Sequence, residues 1–411
     1  MGIRRLASMM MGAVRKLGAI ATVAMTLMAA CMAGSASATG SPSVRMAPSA
    51  VTTWWVDSTW TSPLTGWVLG EGQPGCPSCA VIRHTDNGGS TWSAVRVPVG
   101  RPRVLAASTF ACGSPRGCVS HLVFANPEDG FLFGPDLFTT TDGGQIWHRQ
   151  AGRPTAALQI VAPAVVWRLT YTSDGCPGPC GLTLLEQSVG HSTAWTTVRA
   201  PFDGSGTGVT PQIVSTDSDI SAFGSTARVL VAFYGNIAGG VTSHATFYVT
   251  ANLGRSWATR ADPCGSTRTA EDDAEDTSTT AASVVVVECL AKATSNSGFI
   301  LVSHNGGQSF GPRRPILHPF ALMVAAASAR TIVVASGNVN GGGPFTYMVE
   351  TSTNGGASWK TVVRDPETLT SSTPGQSYLA FVTPTVAHWI GFGNKLWTTT
   401  DGGAHWTASN V

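Results

Sequence analysis

A carboxylate recurring at a fixed place in a short motif is the usual signature of acid–base chemistry, and this chain writes one motif six times. It runs Ser or Thr, any residue, Asp or Asn, any residue, Gly, two more residues and an aromatic. The copies are residues 85–92 (TDNGGSTW), 140–147 (TTDGGQIW), 250–257 (TANLGRSW), 303–310 (SHNGGQSF), 352–359 (STNGGASW) and 399–406 (TTDGGAHW). Their third positions are Asn87, Asp142, Asn252, Asn305, Asn354 and Asp401, so four of the six carry an amide. An amide cannot move a proton in acid–base catalysis. What Asp and Asn share is an oxygen that accepts backbone N–H bonds a residue or two further on. The Gly that follows tolerates a positive φ, and the closing aromatic buries a large apolar ring. The motif reads as a turn between two strands.

Other residues invite chemistry less strongly. Eight cysteines follow residue 38, as CPSC (Cys76, Cys79), CGSPRGC (Cys112, Cys118), CPGPC (Cys176, Cys180) and the separated Cys264 and Cys289. A zinc site from Cys76, Cys79, Cys176 and Cys180 has four ligands but no compact spacing, and CPSC lacks the βαβ context of a redox motif. Disulfides, paired in sequence order in the simplest framework, are the expectation for an exported chain. The run from Glu271 to Asp276 lacks the Gly and spacing of a calcium loop and reads as a solvated, mobile loop in a Thr/Ser/Ala-rich insertion. No HExxH arrangement exists; His84, His148, His304 and His405 flank the repeats. Asp57, Glu128 and Asp129 are the carboxylates nearest inner-strand ends, though nothing pairs them across the about 5–10 Å that glycoside hydrolysis needs. Trp54, Trp55, Trp60 and Trp67 read as core and closure, with a carbohydrate platform as the alternative.

The spacing of the repeats shows what must position these residues. Intervals between third positions are 55, 110, 53, 49 and 47 residues, and the double interval predicts a degenerate copy at residues 188–195 (SVGHSTAW), which keeps Trp195 and loses acid and Gly from their places. Seven units of about 50 residues suit four-stranded propeller blades. The second unit shows the plan: residues 121–125, 129–134, 136–140 and 146–149 are four short β-like runs, with the motif between the third and fourth. The closing aromatics are then Trp92, Trp147, Trp195, Trp257, Phe310, Trp359 and Trp406. Gly and Pro punctuation, with no amphipathic helix after residue 50, argues for an all-β chain.

The repeat resembles the BNR or Asp-box motif, found in the superfamily of sialidases, xyloglucan-type endoglucanases, sortilin-type receptors and photosystem II stability and assembly factors. Similarity to the last group is closest at Gly66-Trp67, Gly130-Phe131 and His388-Trp389, each followed by a repeat. The resemblance covers residues 51–411 and implies an all-β, seven-bladed propeller of four-stranded antiparallel blades with Asp-box turns between the third and fourth strands. It also implies ligand binding on the face opposite those turns, where the topology places the cysteines. The sialidase Phe/Tyr-Arg-Ile-Pro motif is missing, and Phe310 to Pro315 is only a superficial echo. Tyr248 and Tyr347 stand on third strands, away from a channel; Tyr171, with Arg168, Asp174 and Glu186, is the best-sited tyrosine and reads as ordinary strand polarity.

Address and charge complete the expectation. Arg4, Arg5, Arg15 and Lys16 precede an apolar run from Leu17 to Ala33 and Ala36-Ser37-Ala38, a signal peptide over residues 1–38. Met28-Ala29-Ala30-Cys31 resembles a lipobox, so a lipid anchor at Cys31 on the cell surface is the alternative, and residues 39–50 read as a flexible segment. Without the leader, 21 basic and 23 acidic groups remain, a net of −2, and no nucleic-acid footprint is left. Arg101, Arg103, Arg313 and Arg314 are too few to restore one. The expected protein is a secreted monomer without cofactor or metal. It is a non-catalytic binding or assembly scaffold for a protein or glycan, with a glycoside hydrolase as the alternative.

Overall fold

Short apolar runs bounded by Gly, Pro and Asn fold as strands throughout. The computed structural model describes residues 53–411 except 74, 105–116, 163, 172–182, 191–192, 199–212, 216–217, 224–225, 238–239, 262, 265–271, 282, 292–296, 319, 339–345, 367–377 and 392–394. The leader, Cys31, the segment 39–50, Cys112, Asp174, Cys176 and Cys180 therefore lie outside the described residues.

Seven sheets follow one another along the chain among the described residues. The first pairs β1 (Trp54–Trp60), β2 (Gly66–Gln73), β3 (Cys76–Thr85) and β4 (Ser93–Val95); β3 also holds β5 (Arg103–Val104), which runs parallel to β6 (Cys118–Val119). The second is β7 (His121–Phe124), β8 (Asp129–Phe133), β9 (Leu137–Thr141) and β10 (His148–Gln150). The third is β11 (Thr155–Ala162), β12 (Val165–Tyr171), β13 (Thr183–Val189) and β14 (Thr196–Thr197). In the fourth, β15 (Ile213–Ser215) and β16 (Ser218–Phe223) both pair with β17 (Thr226–Ile237), followed by β18 (Gly240–Thr250) and β19 (Ala258–Ala261). The fifth is β20 (Asp272–Ala281), β21 (Val284–Ala291), β22 (Ser297–Ser303) and β23 (Arg314–Pro315). The sixth is β24 (Phe320–Ala326), β25 (Ile332–Asn338), β26 (Thr346–Ser352) and β27 (Lys360–Pro366). The seventh is β28 (Tyr378–Phe381), β29 (Ala387–Ile390), β30 (Lys395–Thr399) and β31 (Thr407–Asn410).

Strand residues alternate faces, and here both faces are buried. In β2, Trp67 and Leu69 pack toward the second sheet while Val68 packs with Ile390 and Leu396 of the seventh. In β25, Val333 and Ala335 face the seventh sheet and Ile332 and Val334 the fifth. Each joint between consecutive sheets therefore has its own apolar core, and the succession closes on itself, because β1 packs on β28 and β29. This cyclic stacking of antiparallel meanders is a β-propeller.

The repeats fasten these joints. Thr140 Oγ1 donates to Asp142 Oδ1 (2.7 Å) and accepts the Gly144 N–H (3.0 Å), while Asp142 Oδ1 accepts the Ile146 N–H (2.9 Å). The other five copies repeat these bonds. In the four Asn copies the amide also donates to a hydroxyl four residues on, at Thr91, Ser256, Ser309 or Ser358. The Asp copies have Ile146 and His405 there, so the choice of Asp or Asn follows the partner available. The second Gly lies against the preceding sheet: a Cβ on Gly144 would sit 2.6 Å from Val95 Cγ1, and one on Gly403 2.9 Å from Val333 Cγ2. Gly89 meets the seventh sheet in the same way, 2.7 Å from Leu396 Cδ2. All seven closing aromatics join the joint core on the side of the preceding sheet: Trp92, Trp147, Trp195, Trp257, Phe310, Trp359 and Trp406.

Three expectations are corrected. The acidic run is strand, not loop: Asp272 to Ala281 pair with β21, whose unbroken Val run offers a buried partner that overrides local polarity. His388-Trp389 is one residue out of register with Gly66-Trp67. Ala387, not His388, stands opposite the repeat's Thr399, as Gly66 stands opposite Thr85. Trp389 therefore packs toward the sixth sheet, and His388 takes the place of Trp67. In the degenerate copy a glycine still does the turn's work: Gly190 has φ +67° and donates to Ala164 O (2.8 Å), as Gly143 donates to Glu128 O (2.9 Å).

Candidate binding face

In a four-stranded meander the first and third turns share one end of the sheet and the second turn shares the other with the link to the next sheet. The repeats occupy the first end. Every described cysteine lies toward the second. Cys76 and Cys79 are bonded to each other on the first residues of β3, beside the hairpin pair Gln73 and Cys76. Cys264, in the link after β19, is bonded to Cys289 near the far end of β21, which ties the fourth sheet to the fifth. Cys118, also disulfide-bonded, begins β6.

Between these braces a connected polar network crosses the first three sheets. Arg103 Nε donates to Ser78 Oγ (2.9 Å), and its N–H donates to Gly117 O (3.0 Å). Beside it on the parallel strand, Cys118 N–H donates to Asp136 Oδ2 (2.7 Å). Asp136 Oδ1 accepts from Arg149 Nη2 (2.6 Å). Further along, Thr155 N–H donates to Pro135 O, and Arg153 Nη1 reaches Glu186 Oε1 at 3.2 Å. Glu186 also takes Arg168 Nη2 at 2.7 Å, directly across the strand pair, and the Arg168 guanidinium lies 4.1 Å from the Trp195 ring. Burial lowers the pKa of Arg168, and Glu186 opposes that shift. Burial raises the pKa of Glu71, which the Arg103 charge opposes.

The geometry has a common sense. Arg149 and Arg153 are 54% and 44% exposed, whereas Asp136 and Glu186 beneath them are 22% and 9% exposed. The carboxylates hold the guanidiniums in place, and the guanidiniums are the more exposed partner of each pair. Arg149 lies on the outer strand of its sheet, Arg103 on β5 outside β3, and Arg153 in a link, so these side chains stand apart from the inner strands.

The inner strands hold a second group. Asp57 Oδ2 accepts the Leu122 N–H of the neighbouring inner strand (2.8 Å), and Oδ1 accepts the Ser58 N–H (2.8 Å). His121 Nδ1 is 3.5 Å from Asp57, and burial, with the Asp57 charge, raises the pKa of Tyr378 on β28. Thr59 and Ser278 take the neighbouring inner-strand N–H groups of Phe124 and Ala326 in the same manner. Polar side chains thus satisfy the edges that inner strands would otherwise leave unpaired. Asp129 belongs to the opposite end, where Asn126 Nδ2 donates to its Oδ2 (2.6 Å). Glu128 is exposed in the same turn. The sequence candidates Asp57 and Asp129 are therefore separated along β7 by about 13 Å at the rise of a strand.

Other candidates fall into structural places. Trp55 and Trp60 line the joint of the seventh and first sheets and Trp67 the next one. Tyr248 and Tyr347 are buried. Of the Tyr171 group, Arg168 and Glu186 come together. Sequence reading missed Asp136, Arg149, Arg153 and Tyr378. One signal was present: Glu186 stands two residues before the repeat's hydroxyl, where Phe138, Leu301 and Trp397 stand elsewhere. The first copy has Arg83 there, and a carboxylate at a position that is apolar in most copies implies a buried partner. Glu350 occupies the same column, its pKa raised by burial, and meets His318.

No family model matches the chain, and no curated protein matches it in sequence. Solved structures do. YCF48 bound to D1 peptide is 14% identical, with a TM-score of 0.55 over 85% of this chain and 94% of that one. YCF48 from Cyanidioschyzon merolae is 16% identical, with a TM-score of 0.53 over 85% and 96%. An ulvan lyase of polysaccharide lyase family 25 is 11% identical, with a TM-score of 0.52 over 88% and 98%. At these identities the likeness is one of fold, and the fold is the β-propeller.

Proposed function

We propose that the chain is an exported, non-catalytic propeller of seven blades, one per sheet, with Asp-box turns, which binds its partner through the disulfide-braced end. The observation that carries this reading is the pair of exposed arginines, Arg149 and Arg153, seated on the less exposed carboxylates Asp136 and Glu186, with Arg103 held by Ser78 on the first sheet. Such charges bind and orient; proton transfer needs a group that titrates near neutrality. The two disulfides accord with an oxidising compartment, as does the leader. Propellers of this fold are recorded with a D1 peptide in YCF48 and with -[GlcA(1-4)Rha3S]- in the ulvan lyase, so the partner is read as a peptide or an anionic glycan.

The second reading, an enzyme acting on glycans, is favoured by Asp57, His121 and Tyr378 on neighbouring inner strands. One experiment separates the two. The full mature chain is screened on glycan and peptide arrays and against fluorogenic sialosides and β-glucans. Binding that falls at least tenfold in the Arg149→Ala/Arg153→Ala variant, without turnover, supports the scaffold. Turnover abolished by Asp57→Asn overturns it.

A further inference from the structure

Six of the seven joints are spanned by the chain itself, running from the outer strand of one sheet to the inner strand of the next. The joint between the seventh and first sheets is held by side chains. At its centre the His388 ring stacks on Trp60, with centroids 3.6 Å apart and planes 10° from parallel. His388 stands where five of the other six sheets place Trp67, Phe131, Trp167, Val286 and Val333, one residue after the strand residue opposite the repeat's hydroxyl; the fourth sheet has Arg228 there. Among the described histidines it alone is fully buried. Its Nδ1 meets Thr398 Oγ1 at 3.0 Å, and its Nε2 is buried without a partner.

We propose that the joint between the seventh and first sheets is an acid-released clasp, in which protonation of His388 parts β28–β31 from β1–β4 while the other joints stay closed.

A protonated ring would carry a second N–H with nothing to accept it, at a site water does not reach. The Trp60 face favours a cation by roughly tenfold, too little to offset burial, which holds the pKa of the imidazole down at about 3. The other titratable groups around the joint are Asp57 on β1, Arg83 over the Trp55 ring and Tyr378 on β28; Lys395 on β30 turns away, to Asp365 of the sixth sheet. His388 forms an ion pair with none of them among the described residues. The closed joint therefore binds fewer protons than the open one between about pH 3 and 6.5. Closure is fully favoured above that window and weakens as pH falls through it.

Hydrogen exchange of the full mature chain, corrected for intrinsic rates, tests this. Between pH 7 and 4.5, amides of β1 and β29–β31 should lose about 100-fold in protection, with β8, β12 and β25 unchanged. The His388→Phe variant, which restores the side chain of Phe131, should keep its protection at both ends. His388→Leu gives the same readout should the Phe variant not fold. Uniform loss across all sheets, no loss at pH 4.5, or the same local loss in the variants overturns the proposal.

Discussion

The two ends of the sheets differ in kind. At the repeat end, six copies make the same hydrogen bonds and plug the joint to the preceding sheet with an aromatic, and Gly89, Gly144, Gly254, Gly356 and Gly403 lie against that sheet. At the disulfide end the described features differ from sheet to sheet: the first carries an extra pair of strands, the fourth is tied to the fifth by Cys264–Cys289, and the third holds a doubly paired buried carboxylate. Uniform chemistry repeated around a cycle is what stability requires, since every joint poses the same packing problem. Individual chemistry is what recognition requires. The repeated Asp and Asn side chains are architecture, and the proposed function places the partner at the dissimilar end.

Substitutions can break or sharpen this contrast. The largest effect is expected at a joint: Trp147→Ala empties the core between the first two sheets and strands the Arg96 carbonyl that its indole N–H serves. It should cost about 3–5 kcal/mol in urea unfolding and leave ligand affinity unchanged. Replacing Cys264 and Cys289 together by Ser opens a tie of sequence separation 25. The expected cost is about 3 kcal/mol, and here partner binding should weaken too, because the braced links move. Gly144→Ala must hold φ +87° and meet Val95, at about 1–3 kcal/mol. Arg149→Ala should cost under about 1 kcal/mol, as an exposed ion pair does, yet reduce binding at least tenfold by titration.

The smallest effect is a change of pH profile. Asp401 accepts the backbone and ring N–H groups of His405 and the Thr399 hydroxyl, and these hold its pKa at about 2. Its folded pKa lies below the unfolded one, so its contribution is present above about pH 4 and is lost as pH falls toward 2. Asp401→Asn should cost no more than about 1 kcal/mol at pH 7, as an exposed pair does, and flatten the profile between about pH 4 and 2. A large loss at pH 7 would mean that the charge does more than hold the turn.

Much of the architecture was legible because it is written in local rules. The turn needs an oxygen at its third position and a glycine at its fifth, and those recur at readable intervals. Strand faces were less legible. In β2 from Gly66 to Gly70, and throughout β29, every residue is buried, so no alternation of polar and apolar residues marks the register, and Trp389 was placed one residue away from its true partner. The strand Asp272–Ala281 was hidden for the converse reason: its residues are polar, and the pairing with β21 is what makes it a strand. The arginine row was least legible. Arg103, Asp136, Arg149 and Arg153 are scattered over 50 residues, and Arg103 comes beside Cys118, whose N–H Asp136 accepts, only because β5 and β6 fold back beside β3.

The repeat closes the cycle by the same joint it makes elsewhere. Trp92 and Gly89 of the first repeat should then serve the seventh sheet as Trp147 and Gly144 serve the first. The direct test is urea unfolding of Trp92→Ala beside Trp147→Ala at pH 7. The account predicts losses equal to within about 1 kcal/mol, each in the range of a deleted core tryptophan. A loss at Trp92 below about 1 kcal/mol, with Trp147 unchanged at several, would contradict it.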